Sequence, residues 1–195
     1  MNEMHKGRLE AFSDGVLAII ITIMVLELKP PHEATWEGLC SLAYVFLSYI
    51  LSFIYVGIYW NNHHHLFQIV KHVKGPVLWA NTHLLFWLSL IPFTTAWMDE
   101  HHFAAIPVAV YGFILFMCGA AYGILVKILT NTHEKDSTLA RAVGKDWKGK
   151  VSVLIYAVAI ASAFIHPAIS LTLYVSVALI WLIPDKRVEG ALQPH

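Results

Sequence analysis

The sequence predicts an all-α integral membrane protein: a bundle of six spanning helices with both chain ends on the cytoplasmic side. Three observations predict it. Hydrophobic residues make up 57% of the chain and charged residues only 13%, about half the charged share of an ordinary soluble domain. Five apolar stretches have the roughly 20-residue length that a helix needs to cross about 30 Å of hydrocarbon. Finally, 12 of the 13 basic residues fall in segments that a six-helix topology puts on one side, leaving only Lys29 on the other. That asymmetry is expected of cytoplasmic loops.

The first helix is expected over about 6–28. Its clean apolar run, Gly15 to Leu26, holds 12 residues, about 18 Å at 1.5 Å per residue. A lipid-facing span is longer. Starting the helix at Lys6 makes it long enough, but puts Arg8, Glu10, Ser13 and Asp14 on its first turns. A helix this polar belongs inside an assembly, against other helices or water. Lys29, Pro30 and Pro31 end the run and no small-residue cleavage site follows, so the segment reads as a retained helix and not a signal peptide.

The remaining helices are expected over about 40–60, 77–98, 104–129, 149–166 and 168–184, the last two split by a tight hairpin at His166 and Pro167. Pro92 and Pro107 are read as lying near helix ends, where they break little. The loop 130–148 is polar and cytoplasmic, with a short amphipathic turn around Ser137–Val143. Cys40 and Cys118 sit in apolar stretches and read as buried free thiols. No loop is long enough to bury a core of its own, and no solenoid-period repeat is present. Net charge is zero, which leaves no electrostatic case for nucleic acid.

The first helix carries the most information. At 100° per residue, Ile19, Thr22, Ile23 and Leu26 share one face about 100° wide, and Gly15, Phe12 and Arg8 continue it toward the N-terminus. Several copies around an axis would form rings of Ile19, Ile23 and Leu26, and narrow apolar rings close a pore by dewetting. A ring of Thr22 hydroxyls would offer oxygen ligands to a partly dehydrated cation. The competing reading is ordinary packing, since any amphipathic helix gathers branched residues on one face.

Arg8, Phe12, Ser13 and Asp14 spell R-x-x-x-F-S-D. This resembles the signature of the transmembrane protein 175 family of potassium channels. Trp60, Asn62, His63, His64 and Phe67 are similar to its W-x-N-H-H-x-x-F stretch, and Asn81 with Pro92, Phe93 and Thr94 to its third-helix pattern. The motifs cover Arg8 to about Phe103. The resemblance implies a pore lined by first helices, a constriction just past the F-S-D motif at Ile19 with Thr22 beyond it, and no T-V-G-Y-G filter. Animal members carry two six-helix repeats and pair. This chain carries the motif once, which implies a homotetramer. Some members have a serine just before the constriction isoleucine; here it is Ala18, which lowers the expected selectivity.

Ser13 and Asp14 buried in a bundle need hydrogen-bond partners. Arg8, Trp60, Asn62, His63, His64 and Asn81 lie near the same level, and with Phe12 they are expected to form a network that fixes the angle of the pore helix. The other reading of Ser13-Asp14-Gly15 is a helix cap and turn.

Twelve histidines raise the question of a metal. His63, His64 and His65 are consecutive, so on a helix they diverge by 100° and cannot chelate one ion, and no H-E-x-x-H spacing occurs. No enzymatic activity, cofactor or tightly bound metal is expected. K+ is the permeant ion, held transiently near Ile19 and Thr22. Expected partners are further copies of the chain and membrane lipid, in a prokaryotic plasma membrane. The alternative functions are a proton-coupled secondary transporter, which usually has broken helices near the midplane, and a proton-permeable channel.

Overall fold

The computed structural model describes residues 4–70, 72–132 and 147–182. Eight helices form the described bundle: α1 (Lys6–Leu26), α2 (Trp36–Ser41), α3 (Ala43–Ile69), α4 (Gly75–Leu88), α5 (Ile91–Glu100), α6 (Ala105–Thr132), α7 (Trp147–Ser162) and α8 (Pro167–Leu182). Among the described residues, four stretches are long and apolar enough to cross a membrane: Lys6–Leu26, Ala43–Ile69, Gly75–Glu100 and Ala105–Asn131. The chain is an integral membrane protein. α7 and α8 have 16 residues each, about 24 Å of helix. The amphipathic turn expected around Ser137–Val143 lies outside the described residues, as does most of the loop 130–148.

α6 forms the spine of the core, packed along α4, α5, α7 and α8. Tyr111, Leu115, Cys118, Leu125 and Leu129 on it are fully enclosed. Because oil surrounds the bundle, polar side chains inside it find partners within it. Ser52 shares hydrogen bonds with Thr95 (2.7 Å) and Tyr111 (3.0 Å). The α7–α8 hairpin is tied by Ser170, which donates to the Ala159 carbonyl (2.7 Å) and lies 3.0 Å from the Ser162 hydroxyl.

The structure departs from the sequence expectations in four places. The helix expected over 40–60 runs from Ala43 to Ile69; beyond residue 60, Asn62 bonds back to the Ile58 carbonyl and His63 to Asn81 of the next long helix. Residues 40 and 41 belong instead to α2, whose N-cap Thr35 accepts the Gly38 N–H at 3.0 Å. α2 buries none of its residues, so Cys40 is an exposed thiol, while Cys118 is buried.

The third apolar stretch is broken, with a turn at Ser89–Leu90 between α4 and α5. Pro92 is the cause: it has no N–H for the Leu88 carbonyl and its ring crowds that group. The Leu90 N–H bonds to Trp87 O at 3.2 Å, a tighter turn than an α-helix. Pro92 therefore acts inside the span and not at its end.

Lastly, the described residues, otherwise helical, include one two-residue antiparallel ladder, Met4–His5 against His72–Val73. It ties the start of α1 to the α3–α4 connection. Lys6 strengthens that tie, its ammonium donating to the carbonyls of Phe67 (2.8 Å) and Gln68 (3.4 Å). A cation at the carbonyl end of α3 also complements the helix dipole.

Candidate functional site

α1 has two faces of different fate. Leu9, Ser13, Leu17, Ile20 and Met24 are buried against α3, α4 and α5. On the other side Arg8, Phe12, Gly15, Ile19, Thr22, Ile23 and Leu26 are all exposed in the protomer, Ile19 by 60% and Leu26 by 73%. This is the stripe that helical periodicity groups together, and among the described residues nothing in its own chain covers it. Thr22 donates its hydroxyl hydrogen to the Ala18 carbonyl at 2.9 Å, which leaves its oxygen lone pairs directed outward.

The buried face is fixed by a polar chain. Ser13 donates to the Leu9 carbonyl at 2.8 Å. Its one hydrogen is thus committed, and it accepts from the Asn81 amide at 2.9 Å. The Asn81 oxygen then faces His63, whose Nε2 lies 2.8 Å away and donates to it. Ser13, Asn81 and His63 are 0%, 1% and 3% exposed. Three helices are joined through groups that satisfy one another, the condition under which buried polar atoms cost little.

A second link runs beside it. The Trp60 indole N–H donates to Asp14 at 3.0 Å, and the Trp60 ring stacks on His64, centroids 5.8 Å apart. His64 in turn pairs with Gln68 at 2.8 Å on its own helix. Other candidates stay out. Asn62 turns back to the Ile58 carbonyl at 2.8 Å. Phe12 and Arg8 are exposed and join neither link among the described residues. Sequence reasoning missed Lys6 and the β-ladder, whose partners lie far along the chain at the end of α3 and beyond it. It also missed Gln68, one turn beyond His64.

At the far end of α1 lies a cavity of ≈ 280 Å³, shared with the start of α3 and with α5. Glu27, Asp99 and Glu100 line it, with Lys29 the one cation among the described lining residues. Its field favours cations near that end of the exposed stripe.

The sequence model of the family described as endosomal/lysosomal potassium channel TMEM175 matches residues 8–92. A potassium channel of Chryseobacterium sp. (strain P1-3) is 56% identical over 192 residues, covering 98% of this chain and all of that one. The chain belongs to the TMEM175 family. A potassium channel of Streptomyces collinus is 35% identical, over 68% of this chain and 67% of that one. The human protein named endosomal/lysosomal proton channel TMEM175 is 26% identical, over 63% of this chain and 24% of its own length. Among solved structures, the crystal structure of a lysosomal potassium-selective channel TMEM175 homolog from Chamaesiphon minutus superposes with a TM-score of 0.77 at 31% identity. That match covers 92% of this chain and 97% of the other. The TMEM175 match over 8–92 contains the whole α1 stripe, both polar links and the proline that breaks the third span.

Proposed function

We propose that this chain forms a potassium-permeable channel that conducts passively across the membrane, with α1 of each of four copies lining a shared axis. The observation that carries the reading is the division of α1: one face locked into its own protomer, the other uncovered from Arg8 to Leu26. A lipid-facing role fits poorly, because the stripe holds a cation at one end and a hydroxyl among its apolar residues.

In this reading both chain ends are cytoplasmic, with six spans that include α7 and α8, and the membrane is a prokaryotic plasma membrane. The positive-side asymmetry of the basic residues supports that orientation. Ions cross rings of Ile19, Ile23 and Leu26, and Thr22 oxygens replace part of the hydration shell. Potassium sheds water more easily than sodium, so a passage with few ligands prefers it without the steep discrimination of a carbonyl filter. The Ser13–Asn81–His63 and Asp14–Trp60 links set the angle at which α1 enters the axis, and the ladder with Lys6 pins its inner end. The acidic outer cavity concentrates cations at the mouth.

The test is purified protein in planar bilayers under opposed potassium and sodium gradients. A reversal potential on the potassium side, with current that grows with the gradient and needs no co-substrate, is the expected result. Saturating, co-substrate-dependent flux would replace the channel with a transporter, a reading to which the broken third span lends its one structural argument. A reversal potential that follows the proton gradient instead would make protons the permeant ion.

A further inference from the structure

Between α3, α6, α7 and α8 lies a smaller cavity, of ≈ 50 Å³. Its lining includes Tyr59 and Asn62 of α3, Gly119 and Gly123 of α6, and Ser152 and Tyr156 of α7. Asn62 adjoins His63, and Ser152 stands in the second turn of α7. The cavity is therefore at the end of the bundle that holds the Ser13–Asn81–His63 chain. Among the described residues none from α1 lines it, so it is separate from the exposed stripe.

Glycines leave this space open. Gly119 and Gly123 have the G-x-x-x-G spacing that lets membrane helices approach closely, yet here they border a void. A Cβ on Gly123 would meet nothing within 4 Å. One on Gly119 would meet only the Tyr59 Oη at 3.7 Å and the Tyr156 Cε2 at 3.9 Å, which are ordinary contacts. Gly112, two turns earlier, differs, because the Tyr174 side chain fills the space beside it.

The polar groups around the void have hydrogen-bonding capacity to spare. Tyr59 is 9% exposed, and its hydroxyl makes no hydrogen bond among the described residues. A donor sealed inside a membrane bundle without an acceptor is costly. Asn62 commits its amide N–H to the Ile58 carbonyl at 2.8 Å and keeps its side-chain oxygen. Ser152 donates to the Lys148 carbonyl at 2.8 Å and accepts the Trp181 indole N–H at 2.8 Å, which leaves it one lone pair.

Size decides the occupant. A buried water needs roughly 10–15 Å³ of such volume, so the cavity has room for about three. A benzene-sized guest takes about 150 Å³, which excludes aromatic ligands and acyl chains. Cavities that stay dry are apolar, and this one has hydroxyls and an amide on its walls.

We propose that the cavity is a water site: a cluster of about three molecules accepts the Tyr59 hydroxyl hydrogen and donates to the Asn62 and Ser152 oxygens, joining α3 to α7. α7 packs chiefly on α6 and α8, so these waters are its polar link to the helix that carries Trp60 and His63. Every group involved belongs to one protomer, and the site does not rest on conduction.

The test is X-ray radiolytic footprinting of the detergent-purified protein, read by mass spectrometry. Radicals formed from water oxidise the side chains that the water touches. Tyr59 is expected to oxidise several-fold faster than Tyr111 and Tyr174, which are 0% exposed and lie outside the cavity. Gly123→Leu fills the space and is expected to bring Tyr59 down to their rate. If that variant fails to fold by circular dichroism, Gly119→Ala, whose methyl sits against the Tyr59 hydroxyl, is read in its place. A parental Tyr59 that oxidises no faster than Tyr111 marks the cavity as dry and overturns the site. So does fast oxidation of Tyr59 that persists in a folded, filled variant, since water would then reach it by another route.

Discussion

The Asn81 amide and the Ser13 hydroxyl meet across 2.9 Å in a site where both side chains are sealed from solvent. One hydrogen bond thereby joins the helix with the exposed stripe to the helix that leads into the proline break. Because the Ser13 hydrogen is committed to Leu9 and the Asn81 oxygen to His63, every member has one arrangement open to it.

Removing the centre of this chain strands both neighbours. Asn81→Ala leaves the Ser13 oxygen and the His63 Nε2–H buried without partners, each worth about 1–3 kcal/mol. The expected outcome is a clearly lower thermal midpoint for the purified protein in detergent. Ser13→Ala, which strands only the Asn81 amide, should cost less. Equal midpoints for all three proteins would mean that the chain does not hold α1.

Asp14 and Trp60 test the second link. Asp14→Asn turns a charge-assisted bond into a neutral one, about half as strong, and is expected to reduce both the tetramer fraction in size exclusion and potassium flux. Trp60→Phe keeps a ring to stack on His64 but lacks the N–H, so it should reproduce the same loss. A fully active tetramer from Asp14→Asn would remove this link from the positioning of α1.

Gly112 is required by space. A Cβ at this position on α6 would occupy the volume of the Tyr174 hydroxyl, which donates to the Val108 carbonyl at 3.1 Å. Gly112→Ala is expected to push α8 from α6 and destabilise by about 1–3 kcal/mol, the usual cost of overpacking. Gly123→Ala, with open space around it, is the control. Thermal melts of the two variants should separate cleanly.

These residues also mark what the sequence makes legible. The two faces of α1 follow from a 3.6-residue period and a run too short for oil, both of which are local properties. That Ser13, Asp14, Trp60, His63 and Asn81 sit at one level was legible from helix lengths. Which of them touch was not, because level says nothing about angle around the bundle. Asn62 shows the difference: it has the right height but turns to its own backbone. Pro92 was misjudged because apolar residues follow it immediately and conceal a break within a continuous hydrophobic run. Lys6 was invisible for the opposite reason, its partners being the carbonyls of residues 61 and 62 positions away, which no local pattern encodes.

Ile19 and Ile20 give the sharpest test, because they are adjacent, identical and oppositely placed. Ile19 is 60% exposed on the open stripe and Ile20 is 2% exposed against its own protomer. Under the proposed function, Ile19→Asn puts an amide where it can be hydrated in a pore. It is expected to leave folding intact, raise single-channel conductance and weaken the preference for potassium over sodium. Ile20→Asn buries an amide among apolar helices without a partner, at a cost of roughly 1–3 kcal/mol by mutational measures, and is expected to lower folded yield while leaving selectivity unchanged in whatever assembles. Bilayer recordings and detergent melts on both variants read these outcomes directly. If the two substitutions behave alike, the stripe does not face an aqueous axis, since only that difference in surroundings separates one isoleucine from the next.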